Sequence, residues 1–564
     1  MKRLNRREAL QGVAGSLVLG SLTPNALAAA LQTAATPAAA KPPMDARHAA
    51  FLAKAQALIP QLNEAILKPV AMVEPVADEK EYQRWRMPVS GTVADAEARL
   101  MQHGDAVTLD FGRHMTGYFS FDIEGVGLNI DSPARLELRF GEVPGDIAEP
   151  FYPYHGSLSE SWLPIDSVDI ENLPQTHKIE RRHAFRWVQI KVVSNSNAYK
   201  VRLKNFRAKA ITAAKKTPPP APASAPEMLR RIDEVSLATL RDCMLTVFED
   251  GPRRDQRLWL GDLRVQALVN YVSFQNYELV KRSIYLLAAF PEDSGLLRAC
   301  VFEKPEPHRS NNTILDYAAL FVPTLLEYAH ASGDVATAKD LYPVAKLQLE
   351  LLSKNVNAEG LFVDPKNIWI FIDWRKDLDK TGCVQGVMIY SYRKAIELAK
   401  LTGHHEDIAG YEERIRLMTD AAVKNFWDKE QRVFVSGPKR QVSWATQAWL
   451  GLAEVVSKED GAHALLTATQ SPDAIPPAAP YLYHYVTEAM ILGGEKDAAL
   501  KMMDSYWGGM VRVGADTFWE VYDPKNSKAS PYGDVHINSF CHAWSCGPAY
   551  LLRKYYWNMS GGKV

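Results

Sequence analysis

Between positions 249 and 262 the chain reads Glu-Asp-Gly-Pro-Arg-Arg-Asp-Gln-Arg-Leu-Trp-Leu-Gly-Asp. One short stretch thus carries the carboxylates of Asp250, Asp255 and Asp262, the guanidinium groups of Arg253, Arg254 and Arg257, and the indole of Trp259. Gly251-Pro252 stops any helix that enters it, so these are loop residues. Such a loop is either a salt-bridge network that braces itself, with Asp262 as N-cap of the next helix, or a site. A second cluster, Gly514-Ala-Asp-Thr-Phe-Trp-Glu-Val-Tyr-Asp523, sets Glu520 among Phe518, Trp519 and Tyr522. An apolar wall raises a carboxyl pKa, and an aromatic face stacks on the C–H face of a sugar ring. Taken alone, such an aromatic stripe is more often core than site. Two further stretches contribute Trp369, Asp373 and Trp374, and His542 with Trp544. Paired carboxylates on opposite sides of a sugar suffice for glycoside hydrolysis. One protonates the leaving oxygen, while the other activates a water, giving inversion, or attacks C1, giving retention.

All four stretches lie beside helix boundaries of the C-terminal region, so they converge if those helices close into a ring. From about residue 227 the apolar period is 3.6. Twelve amphipathic segments begin near Met228, Asp262, Tyr277, Ile314, Val335, Val384, His405, Gln441, Lys458, Tyr481, Glu495 and His536. Twelve helices make six hairpins, which predicts an α/α toroid whose longer loops build a concave mouth. An open solenoid would show a repeat of fixed period, and none is visible. Upstream, residues 72–213 alternate as half-buried strands, as in Val107-Thr-Leu-Asp-Phe-Gly and Trp187-Val-Gln-Ile-Lys-Val-Val. A β-sandwich of two sheets is the economical solution. Residues 214–226, containing KKTPPPAPASAP, read as a semi-rigid linker to a helical domain spanning 227–564.

The N-terminus carries Lys2, Arg3 and the pair Arg6-Arg7 ahead of a mildly apolar run and an Ala-rich end. Residues 1–30 therefore read as a twin-arginine-type signal peptide, followed by a linker and a short helix over 31–71. The expected location is periplasmic or secreted. Apolar residues make up 47% of the 564-residue chain and the net charge is -1, which suits a globular protein and argues against nucleic acid as a partner. No segment is long and apolar enough to suggest a membrane span. The five cysteines form no CxxC pair and read as buried thiols, although Cys541 and Cys546 stand near enough in sequence to bridge. No metal, phosphate-loop or dinucleotide motif is present, so no metal and no cofactor are assigned. Oligomeric state is unreadable.

DGPRRDQRLWLGD resembles the signature loop of the bacterial α-L-rhamnosidases of glycoside hydrolase family 78, and GADTFWEVYD resembles that family's second acidic motif. FIDWRKDLDKTG, CHAWSCGPAYLL, LDFGRHMTGYFSFDI and HAFRWVQIKV also resemble family stretches. The resemblance implies a β-sandwich followed by an (α/α)6 six-hairpin barrel, a rhamnose-containing glycan or glycoside as substrate, and hydrolysis with inversion. Glu520 falls where the family has its general base, and Asp250 and Arg254 match residues that bind sugar hydroxyls. Trp259, Asp262, Trp369, Asp373, Trp374, Trp519 and His542 fall at or near pocket walls. The family's general acid is usually a Glu directly before the arginine matched by Arg257. Gln256 stands there, so Asp255 is the expected proton donor; Asp516 also replaces a usual Thr. Two other readings keep the same fold. One is a lyase cleaving a rhamnose-uronate linkage, with Tyr532 or His542 as base and Arg254 or Arg257 neutralising the uronate. The other is a carbohydrate-binding protein that has lost catalysis.

Overall fold

The computed structural model describes residues 44–559. The expected signal peptide, and the linker up to residue 43, lie outside the described residues. A helix over Ala46–Gln56 precedes strand β1 (Asn63–Leu67), β2 (Ala71–Val73), a small hairpin of β3 (Val76–Ala77) and β4 (Trp85–Arg86), and β5 (Val89–Gly91). The long strands follow: β6 (Ala106–Gly127), β7 (Ala134–Gly141), β8 (Ile165–Ile170), β9 (Gln175–Lys178), β10 (His183–Ser194) and β11 (Tyr199–Thr212). β1 pairs with β11, so a strand stands inside the stretch 31–71 where only linker and helix are expected.

The two layers of the sandwich are one continuous sheet rather than two. The first half of the 22-residue β6 pairs with β10 and β2, and its second half pairs with β11 and β9. A strand this long passes from one layer to the other, helped by register shifts at Phe185/Trp187 and Lys204/Arg207 that bend its partners. Alternation fills the space between the layers. Ala134, Leu136, Leu138 and Phe140 of β7 point inward beside Leu109 and Ile123 of β6, Val188 and Ile190 of β10, and Leu203 of β11. The edge-to-face ring contacts Phe111–Phe119, Phe119–Phe140 and Phe140–Phe185 tie both layers into one core.

Twelve helices follow: α1 (Glu227–Cys243), α2 (Leu260–Tyr271), α3 (Tyr277–Ala289), α4 (Leu315–Ser332), α5 (Val335–Ser353), α6 (Thr381–Thr402), α7 (Ile408–Phe426), α8 (Trp444–Leu452), α9 (Lys458–Gln470), α10 (Pro480–Gly493), α11 (Lys496–Arg512) and α12 (Gly547–Tyr555). The even-numbered helices pack each on the next, and α12 returns to α2, so the ring is closed. Every residue of α2 is buried, as an inner helix requires. The outer helix α11 buries one stripe instead: Ala499, Met503, Tyr506, Trp507 and Met510. Short turns lead from inner to outer helices, and long loops lead from outer to inner. The long loops therefore gather at the N-termini of the inner helices.

Several expectations need correction. The last helix begins at Gly547 rather than near His536, because 535–537 and 543–546 form only single 3-10 turns. Trp259, not Asp262, occupies the N-cap of α2, and Asp262 sits in its first turn. The Pro-rich segment is laid on the helices, with Arg553 Nη2 donating to the Pro219 carbonyl at 2.8 Å and Lys216 Nζ to Gln275 Oε1 at 3.1 Å. All five cysteines are free and buried; Cys541 lies 3.8 Å, sulfur to sulfur, from Cys243 and is not bridged to Cys546. Among the described residues, no helix is long and apolar enough to cross a membrane.

Candidate active site

A cavity of about 380 Å³ opens at the mouth of the ring. The loop before α2, with the first turn of that helix, lines it with Asp250, Arg254, Asp255, Arg257, Trp259 and Asp262; the loop before α4, again with the first turn of its helix, gives Asn312, Ile314 and Tyr317. The loop before α6 adds Trp369, Phe371 and Trp374, and the one before α12 adds Glu520, Tyr532, His542 and Trp544. Leu158, Ser159 and Trp162 complete the wall from the loop between β7 and β8 of the sandwich.

The acidic loop is held in an unusual backbone. Asp255 and Gln256 both adopt left-handed conformations, with φ of 66° and 52°. Each costs on the order of 1–3 kcal/mol in a residue with a side chain. Hydrogen bonds from Gln256 N to the Gly251 carbonyl (3.2 Å) and from Gln256 Nε2 to the Pro252 carbonyl (2.9 Å) close the turn. The Gln256 amide is thereby spent on its own loop, while Asp255 faces the cavity. Gly251 allows the loop to approach the segment before α12: a Cβ there would stand 2.4 Å from Ser539 Oγ. Asp250 accepts from Arg257 N at 3.1 Å. Burial, then the neighbouring charges of Asp255 and Asp262, pushes the Asp250 carboxyl well above the ordinary range.

Glu520 lies across the cavity, 1% exposed. Its Oε2 is 2.6 Å from Arg254 Nη2 and accepts from Ser539 N at 3.4 Å, and the Tyr532 hydroxyl donates to its Oε1. The other terminal nitrogen of Arg254 is 3.0 Å from Asp255 Oδ1. One guanidinium therefore separates the two carboxylates and touches both. Arg254 also donates through Nε to the Ile537 carbonyl at 2.8 Å and stacks 4.5 Å above the Tyr532 ring. Burial, followed by the charge of Glu520, pushes the Tyr532 phenol well up, so it holds its proton. His542 Nε2 stands 3.3 Å from Asp262 Oδ2, and Tyr317 donates to the other oxygen of Asp262 at 3.2 Å.

Twelve of the residues singled out in the sequence meet at this cavity: Asp250, Arg254, Asp255, Arg257, Trp259, Asp262, Trp369, Trp374, Glu520, Tyr532, His542 and Trp544. Two expected at the pocket wall do not. Asp373 turns away to accept from Ala478 N (2.6 Å) and Ala479 N (3.0 Å), which caps the start of α10, and burial pushes its carboxyl up to about 7. Trp519 lies behind the wall, stacked on Tyr82 with ring centroids 5.8 Å apart. Leu158, Ser159, Trp162, Asn312, Ile314, Tyr317 and Phe371 join the site without having been singled out in the sequence. The three sandwich residues sit in a loop with no regular pattern that marks them, so only tertiary docking reveals them.

A closed ring of six helix pairs with opposed carboxylates and aromatic walls at its mouth defines a six-hairpin glycosidase. The model for the glycosyl hydrolase family 78 alpha-rhamnosidase N-terminal domain matches residues 69–210, and that for the bacterial alpha-L-rhamnosidase 6 hairpin glycosidase domain matches residues 223–555. A solved rhamnosidase from Klebsiella oxytoca with rhamnose bound is 40% identical, with a TM-score of 0.88 over 91% of this chain and 100% of that one. The family 78 rhamnosidase of Bacillus sp. GL1 is 21% identical with a TM-score of 0.69, covering 83% of this chain and 49% of its own. The Streptomyces avermitilis α-L-rhamnosidase complexed with L-rhamnose is 15% identical with a TM-score of 0.64, covering 88% and 44%. These last two share the fold, and this chain spans about half their length. No curated protein matches the chain. The chain belongs to glycoside hydrolase family 78, the α-L-rhamnosidases.

Proposed function

We propose that the enzyme removes terminal α-L-rhamnose with inversion, Asp255 protonating the glycosidic oxygen while Glu520 takes a proton from the water that attacks C1. The observation that carries this reading is the opposition of Asp255 and Glu520 across a single guanidinium. In retaining glycosidases the carboxyl groups stand roughly 5–5.5 Å apart, and in inverting ones roughly 6.5–9.5 Å, leaving room for the water. Asp250, Arg254, Asp262 and His542 supply donors and acceptors for the sugar hydroxyls, and Trp259, Trp374 and Trp544 supply apolar faces. Tyr532 is engaged as a donor to Glu520, which does not suit it as a lyase base.

The two roles separate by leaving group. A nitrophenolate departs with little protonation, whereas a sugar alkoxide needs a full proton. Asp255→Asn is therefore expected to lose ~10² or more on a rhamnosyl disaccharide but much less on p-nitrophenyl α-L-rhamnoside, while Glu520→Gln loses ~10² or more on both. Equal, small losses for both variants would remove this assignment. The basic pair Arg6-Arg7 and the small-residue stretch near Ala30 support export across the inner membrane before the enzyme acts. Sequencing the mature N-terminus from a periplasmic fraction tests it, and a retained Met1 would contradict it.

A further inference from the structure

Between the sandwich and the ring lies a buried ionic cluster that touches neither the cavity nor Glu520 directly. His114 of β6 sets Nδ1 2.9 Å from Asp242 Oδ2 and Nε2 3.1 Å from Glu142 Oε1. The other oxygen of Glu142 accepts the Phe540 N–H at 2.8 Å and lies 3.4 Å from Arg253 Nη1. Arg253 grips Asp146 with both terminal nitrogens, at 2.8 and 2.9 Å, and donates to the His536 carbonyl at 2.7 Å. Glu142 is 2% exposed and Arg253 4%. Charges buried this deeply are a poor source of stability compared with a well-packed apolar contact, so their placement points to a geometric role.

What they hold are the neighbours of the groups that hold Glu520. Phe540 follows Ser539, whose N–H reaches Glu520 Oε2 at 3.4 Å and whose carbonyl accepts the Glu520 N–H at 2.9 Å. Arg253 precedes Arg254, whose Nη2 stands 2.6 Å from the same carboxylate oxygen. We propose that Glu142 of the sandwich is a positioning residue for the catalytic base, clamping the Phe540 amide and Arg253 so that Ser539 and Arg254 fix the Glu520 carboxylate. The sandwich then belongs to the active site as its rear support. This rests on the reading of Glu520 as base.

The test is steady-state kinetics on p-nitrophenyl α-L-rhamnoside for Glu142→Gln, Glu520→Gln and the double variant, with folding checked by circular dichroism and thermal unfolding. In Glu142→Gln one carboxylate oxygen becomes an N–H facing donors. A displacement on the order of 1 Å at a reacting group can cost ~10² in rate, so kcat is expected to fall at least about tenfold with KM within about threefold. Because Glu142 acts through Glu520, the double variant is expected to match Glu520→Gln within about twofold. A kcat within about twofold of wild type, or the same fractional loss with and without the Glu520 carboxylate, would overturn the proposal while leaving the base assignment intact. An active Glu520→Gln would overturn the base assignment itself, and with it this one. If Glu142→Gln does not fold, Arg253→Lys keeps the buried positive charge but gives up the fork on Asp146 and His536; it is held to the same criteria.

Discussion

At the scale of single residues, Gln256 turns its side chain back onto its own loop. Its amide is tied to the Pro252 carbonyl, and the neighbouring carboxyl of Asp255 faces the cavity instead. Gln256→Ala is therefore expected to keep kcat within about fivefold of wild type, since it removes one loop hydrogen bond rather than a reacting group. A loss comparable to that of Asp255→Asn, measured on the same disaccharide, would put position 256 back in the chemistry. Asp250, Asp255, Asp262 and Glu520 are legible in sequence because the acidic loop and the aromatic-flanked carboxylate recur beside helix boundaries of one ring, which outweighs the bland reading each has alone. Asp373 and Trp519 mislead for the complementary reason. A buried carboxylate that caps a helix and a tryptophan that packs behind a wall have the same local sequence surroundings as residues that face substrate.

At the scale of elements, the segment 513–546 reads in sequence as a loop that passes into a helix near His536. It is a loop whose backbone groups are consumed by the site and by the sandwich. Glu149, beside the short helix Pro144–Ala148, illustrates the link: hydrogen bonding to His536, then to Lys528 and Trp85, holds its carboxyl down to about 2. A carboxyl depressed in the folded state stabilises it above the ordinary value near 4.5, and that stabilisation is lost as pH falls toward 2. Glu149→Gln should be less stable than wild type at pH 7 and converge on it only as pH falls to about 2, as followed by urea unfolding across that range. Parallel pH profiles would show that the contact contributes nothing, the known outcome for many half-exposed ion pairs. The helices themselves are legible almost throughout, because the 3.6 period and the caps agree. The bent, continuous sheet is not, since alternation reports which residues face inward and not which strand crosses between layers.

At the scale of the molecule, the sandwich and the ring share buried charge. Arg182 holds Glu249 with two hydrogen bonds, at 2.9 and 2.7 Å, alongside the cluster around Glu142. Separating the two parts would strand these groups unpaired, so calorimetry is expected to show one cooperative transition; two well-separated transitions would mean that the parts unfold independently. The Pro-rich boundary at 215–226 is visible in sequence, but this coupling is not, because charges paired across hundreds of residues leave no local pattern. If Asp255 and Glu520 act as acid and base on opposite faces of the sugar, NMR of the first turnovers of p-nitrophenyl α-L-rhamnoside will show β-L-rhamnose ahead of mutarotation. Initial appearance of the α-anomer would mean retention, a covalent intermediate, and a different role for Glu520.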